Sequence, residues 1–257
     1  MTAPDPLLTA DDPPAVELVN EAGPAPILLT CDHASLRIPR RLGDLGLAEP
    51  DRVRHIAWDI GAADVTRHMA RALDAPAILS GYSRLVVDCN RHLHDPTLIP
   101  AVSDGTPIAA NANLAPAGRQ ARLDALYHPY HQAVAQRLDR FAAVGITPVF
   151  LSIHSCTPEM NGRFRPWHIG VCWAEDRRLA APVMEALAGD PAIVVGDNQP
   201  YNLDLNEDYT VPVHAMARGL PHLLVEIRQD LIADPDGARH WAEVLLAALR
   251  SALASLP

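Results

Sequence analysis

Apolar runs of strand length alternate along this chain with stretches of helical spacing. The runs are PAPILLTC (24–31), PAILS (76–80), RLVVDC (84–89), TPVFLSI (147–153), HIGVCW (168–173), AIVV (192–195) and HLLVEI (222–227). Between them, Ile60, Val65, Met69 and Leu73 repeat at helical intervals across 60–73. Further helices are expected over 117–143, with a break near Pro129, and over 177–188, 209–217 and 237–254. Such alternation predicts a single α/β domain with a mixed, mostly parallel sheet. Runs that are apolar on both faces call for helices on both sides of it. The Pro- and acid-rich segment 1–24 is expected to be loosely structured, leaving 25–257 as the folded domain. Segment 92–116 is long, irregular and Pro-rich, and loops of that kind are commonly functional or mobile.

Composition narrows the chemistry. The 257 residues carry 21 basic and 31 acidic side chains, a net charge of -10 that disfavours nucleic acid as a partner. Every basic residue is arginine, so Schiff-base lysines and phosphate-loop lysines are excluded. Any carboxylate recognition falls to guanidinium groups, whose planar fork suits it. The first residues show neither a basic segment nor a long apolar run, and no stretch approaches ~18 apolar residues. The expectation is a cytoplasmic protein without a membrane partner. Cys31, Cys89, Cys156 and Cys172 lie far apart, and free buried thiols are expected rather than disulfides.

Three of the apolar runs end in charged or metal-capable side chains: Asp32-His33, His154-Ser155 and Glu226-Ile227-Arg228. In open α/β sheets ligands bind beyond the carboxyl ends of the strands, so parallel neighbours would bring these residues to one crevice. Asp59, in HIAWDIG, precedes a helix and can face the same crevice. Two histidines and a carboxylate suit catalytic zinc with one position left for water. His33, Asp59 and His154 are therefore candidate ligands, with Glu226 as general base. Asp32 is the rival carboxylate, but successive side chains of an extended segment point apart, and orienting a ligand suits it better. Blander roles stand beside these: Asp59 as a helix N-cap, and Glu226 with Arg228 as a structural ion pair.

The segments CDHASLRIP (31–39), HIAWDIGAAD (55–64), YSRLVVDCNR (82–91), SIHSCTP (152–158), NGRFRPWHIGV (161–171), GDNQPYN (196–202) and VEIRQDLI (225–232) resemble the N-formylglutamate amidohydrolase family. IHS followed by EIR is more distantly similar to the zinc carboxypeptidases. The resemblance implies a carboxypeptidase-like fold, one zinc or another divalent metal per chain, and 25–257 as one catalytic domain. It implies hydrolysis of the amide bond of a small N-formyl or N-acyl amino acid such as N-formylglutamate. It makes His33 and His154 ligands and Glu226 the base. Asn90 and Arg91 look like a pair that holds a substrate carboxylate. The carboxypeptidase ligand three residues after the first histidine is absent, since Leu36 stands there, so Asp59 is the expected substitute. Arg84 and Arg91 are the main candidate anchors for an acidic substrate, and Arg84 or another arginine would also stabilise the oxyanion. Arg163, Arg165, Arg228 and Tyr201 are further candidates, with Asn198 and Tyr209 as weaker ones. Other readings are a zinc hydrolase of a peptide or cell-wall amide, and a metal-free binding protein. A small arginine-rich pocket would favour the first function, and an open groove a peptide.

Overall fold

A computed structural model describes residues 6–255. Seven strands form one sheet: β1 (Val16–Val19), β2 (Ile27–Cys31), β3 (Ala77–Ser80), β4 (Val149–Cys156), β5 (Ile169–Cys172), β6 (Val195–Asp197) and β7 (His222–Arg228). Their spatial order is β1-β3-β2-β4-β7-β5-β6. The central run β3-β2-β4-β7 is parallel throughout, and β5-β6 is parallel as well. Only β1 against β3 and β5 against β7 are antiparallel. This is the mixed, mostly parallel sheet expected from the sequence.

Successive side chains leave a strand on opposite faces. Leu29, Leu79, Leu151, Ile153 and Val225 pack on one face against helices α1 (Ala62–Leu73), α3 (Ala180–Ala188) and α4 (Pro235–Ser255). Leu28, Ile78, Phe150 and Leu224 pack on the other face against α2 (His128–Ala143). Pro129 does not break the helical pattern. A helix at Pro116–Arg122 runs through a π-turn at Leu123–Tyr127 into α2, so the chain stays helical across Pro129, which has no N–H to donate to the preceding turn. Among the described residues no helix is long and apolar enough to cross a membrane. All four cysteines are free and buried.

Three expectations require correction. Segment 1–24 is not uniformly loose, because Val16–Val19 supplies the edge strand β1. The run at 192–195 enters the sheet only at Val195. The run at 84–89 is not a strand. Leu85, Val86 and Val87 are buried in a separate apolar cluster beneath the long loop. The backbone there is satisfied by side chains: Asn111 Nδ2 donates to the Leu85 carbonyl at 2.8 Å and Arg122 Nη1 to the Val86 carbonyl at 2.9 Å. β-branched residues mark burial as readily as they mark a ladder.

Gly61 begins α1 with φ of 80°, and a Cβ there would sit 2.0 Å from the Ile232 carbonyl oxygen. Gly219 shares the left-handed backbone (φ 66°) but has open space around it. Replacing Gly219 by Ala is expected to cost about 1 kcal/mol of strain. Gly61→Ala is expected to cost about 3 kcal/mol or more, because the main chain must also shift. Urea unfolding of the two variants measures the difference.

Candidate active site

The sheet order places β2, β4 and β7 side by side, so their carboxyl ends meet. Glu226 sits in register beside His154 on the adjoining parallel strands. His33 follows β2, and Asp59 is tied to it through the main chain: the Asp59 N–H donates to the His33 carbonyl at 2.9 Å. Asp59 makes no side-chain cap on α1, whose N-cap is Gly61. Its carboxylate turns into the crevice instead. There Oδ2 lies 3.3 Å from His33 Nδ1 and 2.9 Å from His154 Nδ1. The two imidazole rings stand 5.0 Å apart, and one donor atom from each of His33, Asp59 and His154 lies within 4.8 Å of the others. All three residues are buried.

The outer nitrogen of each ring faces a second carboxylate. His33 Nε2 is 2.7 Å from Asp88 Oδ1, and His154 Nε2 is 3.0 Å from Asp32 Oδ2. A carboxylate on Nε2 holds the proton there and leaves the Nδ1 lone pair free to face inward. Both histidines therefore present the same nitrogen to the same point. Asp59 lies at that point, and Asp32 lies behind His154. Asp32 is fully buried and well satisfied, with Tyr130 and Thr210 hydroxyls each donating to Oδ1 at 2.7 Å and Ser152 Oγ donating to Oδ2 at 3.2 Å.

The electrostatics follow from burial and pairing. Burial and the Arg84 guanidinium oppose charge on His33, yet Asp88 and Asp59 outweigh them and raise its pKa. Burial also opposes charge on His154, and Asp32 and Asp59 raise its pKa well above the usual imidazole value. Burial would push Asp59 up, but the two histidines hold it below the ordinary carboxylate range. Glu226 is different. Burial is the main influence, and it pushes the carboxyl up to about 7 against the pull of His154 and His33. Its Oε2 is buried without a hydrogen-bond partner among the described residues.

These groups line a cavity of about 270 Å³. It adjoins a wider groove of about 840 Å³ walled partly by the 92–116 loop, and both share His55, Arg84, Arg91 and Tyr201. Arg84 reaches the cavity while its Nε and Nη2 both approach Asp88 Oδ2, at 2.9 Å and 2.7 Å. Arg91 and Asn90 line it as well. The Asn90 side chain is already engaged: Oδ1 accepts from the Tyr209 and Thr210 N–H groups, and Nδ2 donates to Asp208.

Other candidates lie elsewhere. Arg163 is exposed on a two-residue hairpin away from the cavity walls. Arg228 does not pair with Glu226, since it binds Asp230 at 2.8 Å and the Arg165 carbonyl at 3.2 Å. Alternate strand residues share a face, but the arginine extends past the strand end to its nearest acid. Arg165 donates to the Tyr201 hydroxyl and supports that cavity residue from behind. Asn198 accepts from the Trp173 N–H, and Tyr209 packs among the rings of Tyr127 and His131. Ser155 Oγ donates to the Ile60 carbonyl, and burial raises the Cys31 and Cys156 thiols, so no activated nucleophile is present in these three.

Residues that the sequence reading did not single out also shape the site, Asp204 and Glu207 among the cavity walls. Asp88 bridges His33 and Arg84, and its only signal was a charge interrupting the apolar run RLVVDC. Asp208 lines the cavity from a polar stretch with no periodicity to single it out.

A family model described as N-formylglutamate amidohydrolase matches residues 25–233. The chain belongs to the N-formylglutamate amidohydrolase family. An N-formylglutamate deformylase of Pseudomonas putida is 31% identical over 129 residues, covering 46% of this chain and 47% of that protein. The match thus spans about half the length of this curated relative. A crystal structure of a gene product from Agrobacterium tumefaciens superposes with a TM-score of 0.94 at 36% identity, covering 97% of this chain and 98% of the other. The crystal structure of N-formylglutamate amidohydrolase from Ralstonia eutropha JMP134 gives 0.68 at 19% identity, covering 93% and 97%, and shows the shared fold.

Tyr130→Phe removes one of the hydroxyl donors to the buried Asp32 carboxylate. It is expected to cost about 1–3 kcal/mol, seen as a lower urea midpoint without a change in slope.

Proposed function

We propose that this chain is a metal-dependent amidohydrolase that cleaves the amide bond of a small N-formyl or N-acyl amino acid, with His33, Asp59 and His154 holding one zinc or similar divalent ion. The carrying observation is the convergence of three donors whose two imidazoles are each oriented by an outer carboxylate. That donor chemistry fits a catalytic zinc site with an open position. Family membership supports the amidohydrolase reading, and the Pseudomonas putida deformylase supports the formyl group. The inner cavity of about 270 Å³ suits a free amino-acid derivative, and the adjoining groove of about 840 Å³ keeps a peptide or cell-wall amide as the second reading.

The bound metal would polarise the amide carbonyl and make water nucleophilic at neutral pH. The chain's own residues do the rest. Glu226 accepts a proton at its unpaired Oε2 from the water that attacks the carbonyl carbon. It returns that proton to the amide nitrogen as the C–N bond breaks, releasing the acid and the free amine. A carboxyl held near 7 suits both transfers. Arg84 supplies positive charge to the oxygen that gains electrons, and Asp88 fixes its direction. Arg91 takes the substrate carboxylate, and Asn90 steadies the 209–210 backbone and the Asp208 carboxylate beside it. Asp32 and Asp88 keep the outer nitrogens of the histidines protonated. A cytoplasmic location accords with four buried free thiols.

Purified protein is expected to bind about one zinc per chain. Glu226→Gln should keep that zinc while kcat on an N-formyl amino acid falls about 10²–10⁴-fold. Full activity in that variant would remove Glu226 as the base, and failure to bind metal would favour a metal-free binding protein. Competition with a chromophoric chelator ranks the aspartates. Asp32→Ala should weaken zinc binding about 10–100-fold, and Asp59→Ala should weaken it more. The opposite ranking would give the ligand role to Asp32.

A further inference from the structure

The charge around the inner cavity bears on which amino acid carries the acyl group. Five carboxylates line it, from Asp59, Asp204, Glu207, Asp208 and Glu226, against the guanidinium groups of Arg84 and Arg91. Arg84 is engaged by Asp88 on two bonds and lies 3.6 Å from Asp59. Asp59 belongs to the metal-donor set and Glu226 to proton transfer. What remains for the substrate is Arg91 and the carboxylates of segment 204–208.

Arg91 is held loosely by those carboxylates. Its hydrogen bonds run to the Asn90 carbonyl at 3.0 Å and to Thr97 Oγ1 at 3.2 Å. Asp208 is 3.7 Å from it and Glu207 is 3.8 Å, both beyond hydrogen-bond length. Asp208 is held in place by Asn90 Nδ2 and the Asp204 N–H, each donating at 2.8 Å, and burial raises its pKa. Long ion pairs of this kind can be exchanged by a ligand that brings both charges. The ligand's α-carboxylate would replace acid on Arg91, and a cation would replace guanidinium beside Glu207 and Asp208. A dicarboxylate brings a second negative charge to this wall, where neither guanidinium is left to receive it.

We infer that the substrate carries a cationic side chain: an N-formyl or N-acyl amino acid ending in a guanidinium or ammonium group, with Arg91 on its α-carboxylate and Glu207 and Asp208 on the cation. The inference rests on the hydrolase reading for the acyl group and departs from an acidic amino acid. Glu207 and Asp208 become specificity-determining residues.

Binding to zinc-loaded Glu226→Gln protein, followed by calorimetry, separates specificity from turnover. N-formyl-arginine is expected to bind at least about tenfold more tightly than N-formylglutamate, with N-formyl-glutamine between them. The gap should narrow as salt rises, because partly exposed charges are screened. In the otherwise wild-type enzyme, Glu207→Gln should reduce the kcat/KM preference for N-formyl-arginine over N-formyl-glutamine about threefold to tenfold, mainly through KM. The Glu207 side chain is exposed and makes no hydrogen bond among those described, so this variant stays informative if Asp208→Asn disturbs the loop. Equal or tighter binding of N-formylglutamate overturns the inference, as does an unchanged preference in Glu207→Gln. Binding of N-formyl-arginine without hydrolysis by the wild type overturns the hydrolase reading and leaves the charge preference standing. No binding of any of the three overturns the inference.

Discussion

One carboxylate oxygen organises this molecule's chemistry. Asp59 Oδ2 sits between two imidazole nitrogens, in a buried position where an uncompensated charge would be costly. Compensation extends outward in a chain. Each histidine is backed by a further aspartate, and those aspartates are in turn backed by Arg84 on one side and by three hydroxyls on the other. Taking any member away removes a partner from a buried, charged neighbour. The groups come from β2, β4, the approach to α1, the turn at 84–89, α2 and the segment before His214, so the cluster ties these parts together at one end of the sheet.

The apolar framework explains why that end is available. Parallel strands bury both faces under helices, and their carboxyl ends are the one place where polar side chains can leave the core in a group. The same framework sets the divided character of the cavity. Its inner wall carries the donors and Glu226, positioned by strand register. Its outer wall comes from loops, and loops are where relatives sharing a scaffold diverge in what they recognise. Membership of the N-formylglutamate amidohydrolase family accordingly speaks to the inner wall more directly than to the acidic stretch 204–208.

The local pattern misled where burial and strand formation part company. The run Leu85-Val86-Val87 reads as a strand because it is apolar and carries two β-branched valines, but the Leu85 and Val86 carbonyls accept from Asn111 and Arg122, from distant parts of the chain. Arg163 and Arg228 drew attention as cations near matching motifs. One lies on an exposed hairpin and the other is captured by Asp230 two residues away. A residue's type can be read in one dimension, while its nearest opposite charge cannot.

The alternation of apolar runs and helical spacing was enough, by itself, to indicate the sheet's class and its two helical layers, and to put His33, His154 and Glu226 at the ends of apolar runs. Those features depend on local periodicity, which the chain states residue by residue. Tertiary structure alone decided that Asp59 joins the histidines while Asp32 backs one of them, that Asp88 links His33 to Arg84, and that Arg91 faces acids from segment 204–208. Each of these is a meeting of side chains from distant parts of the chain, between Asp59 and His154, Asp32 and His154, Asp88 and His33, and Arg91 and Asp208. Such pairings follow from how loops close over the sheet and have no signature in local sequence.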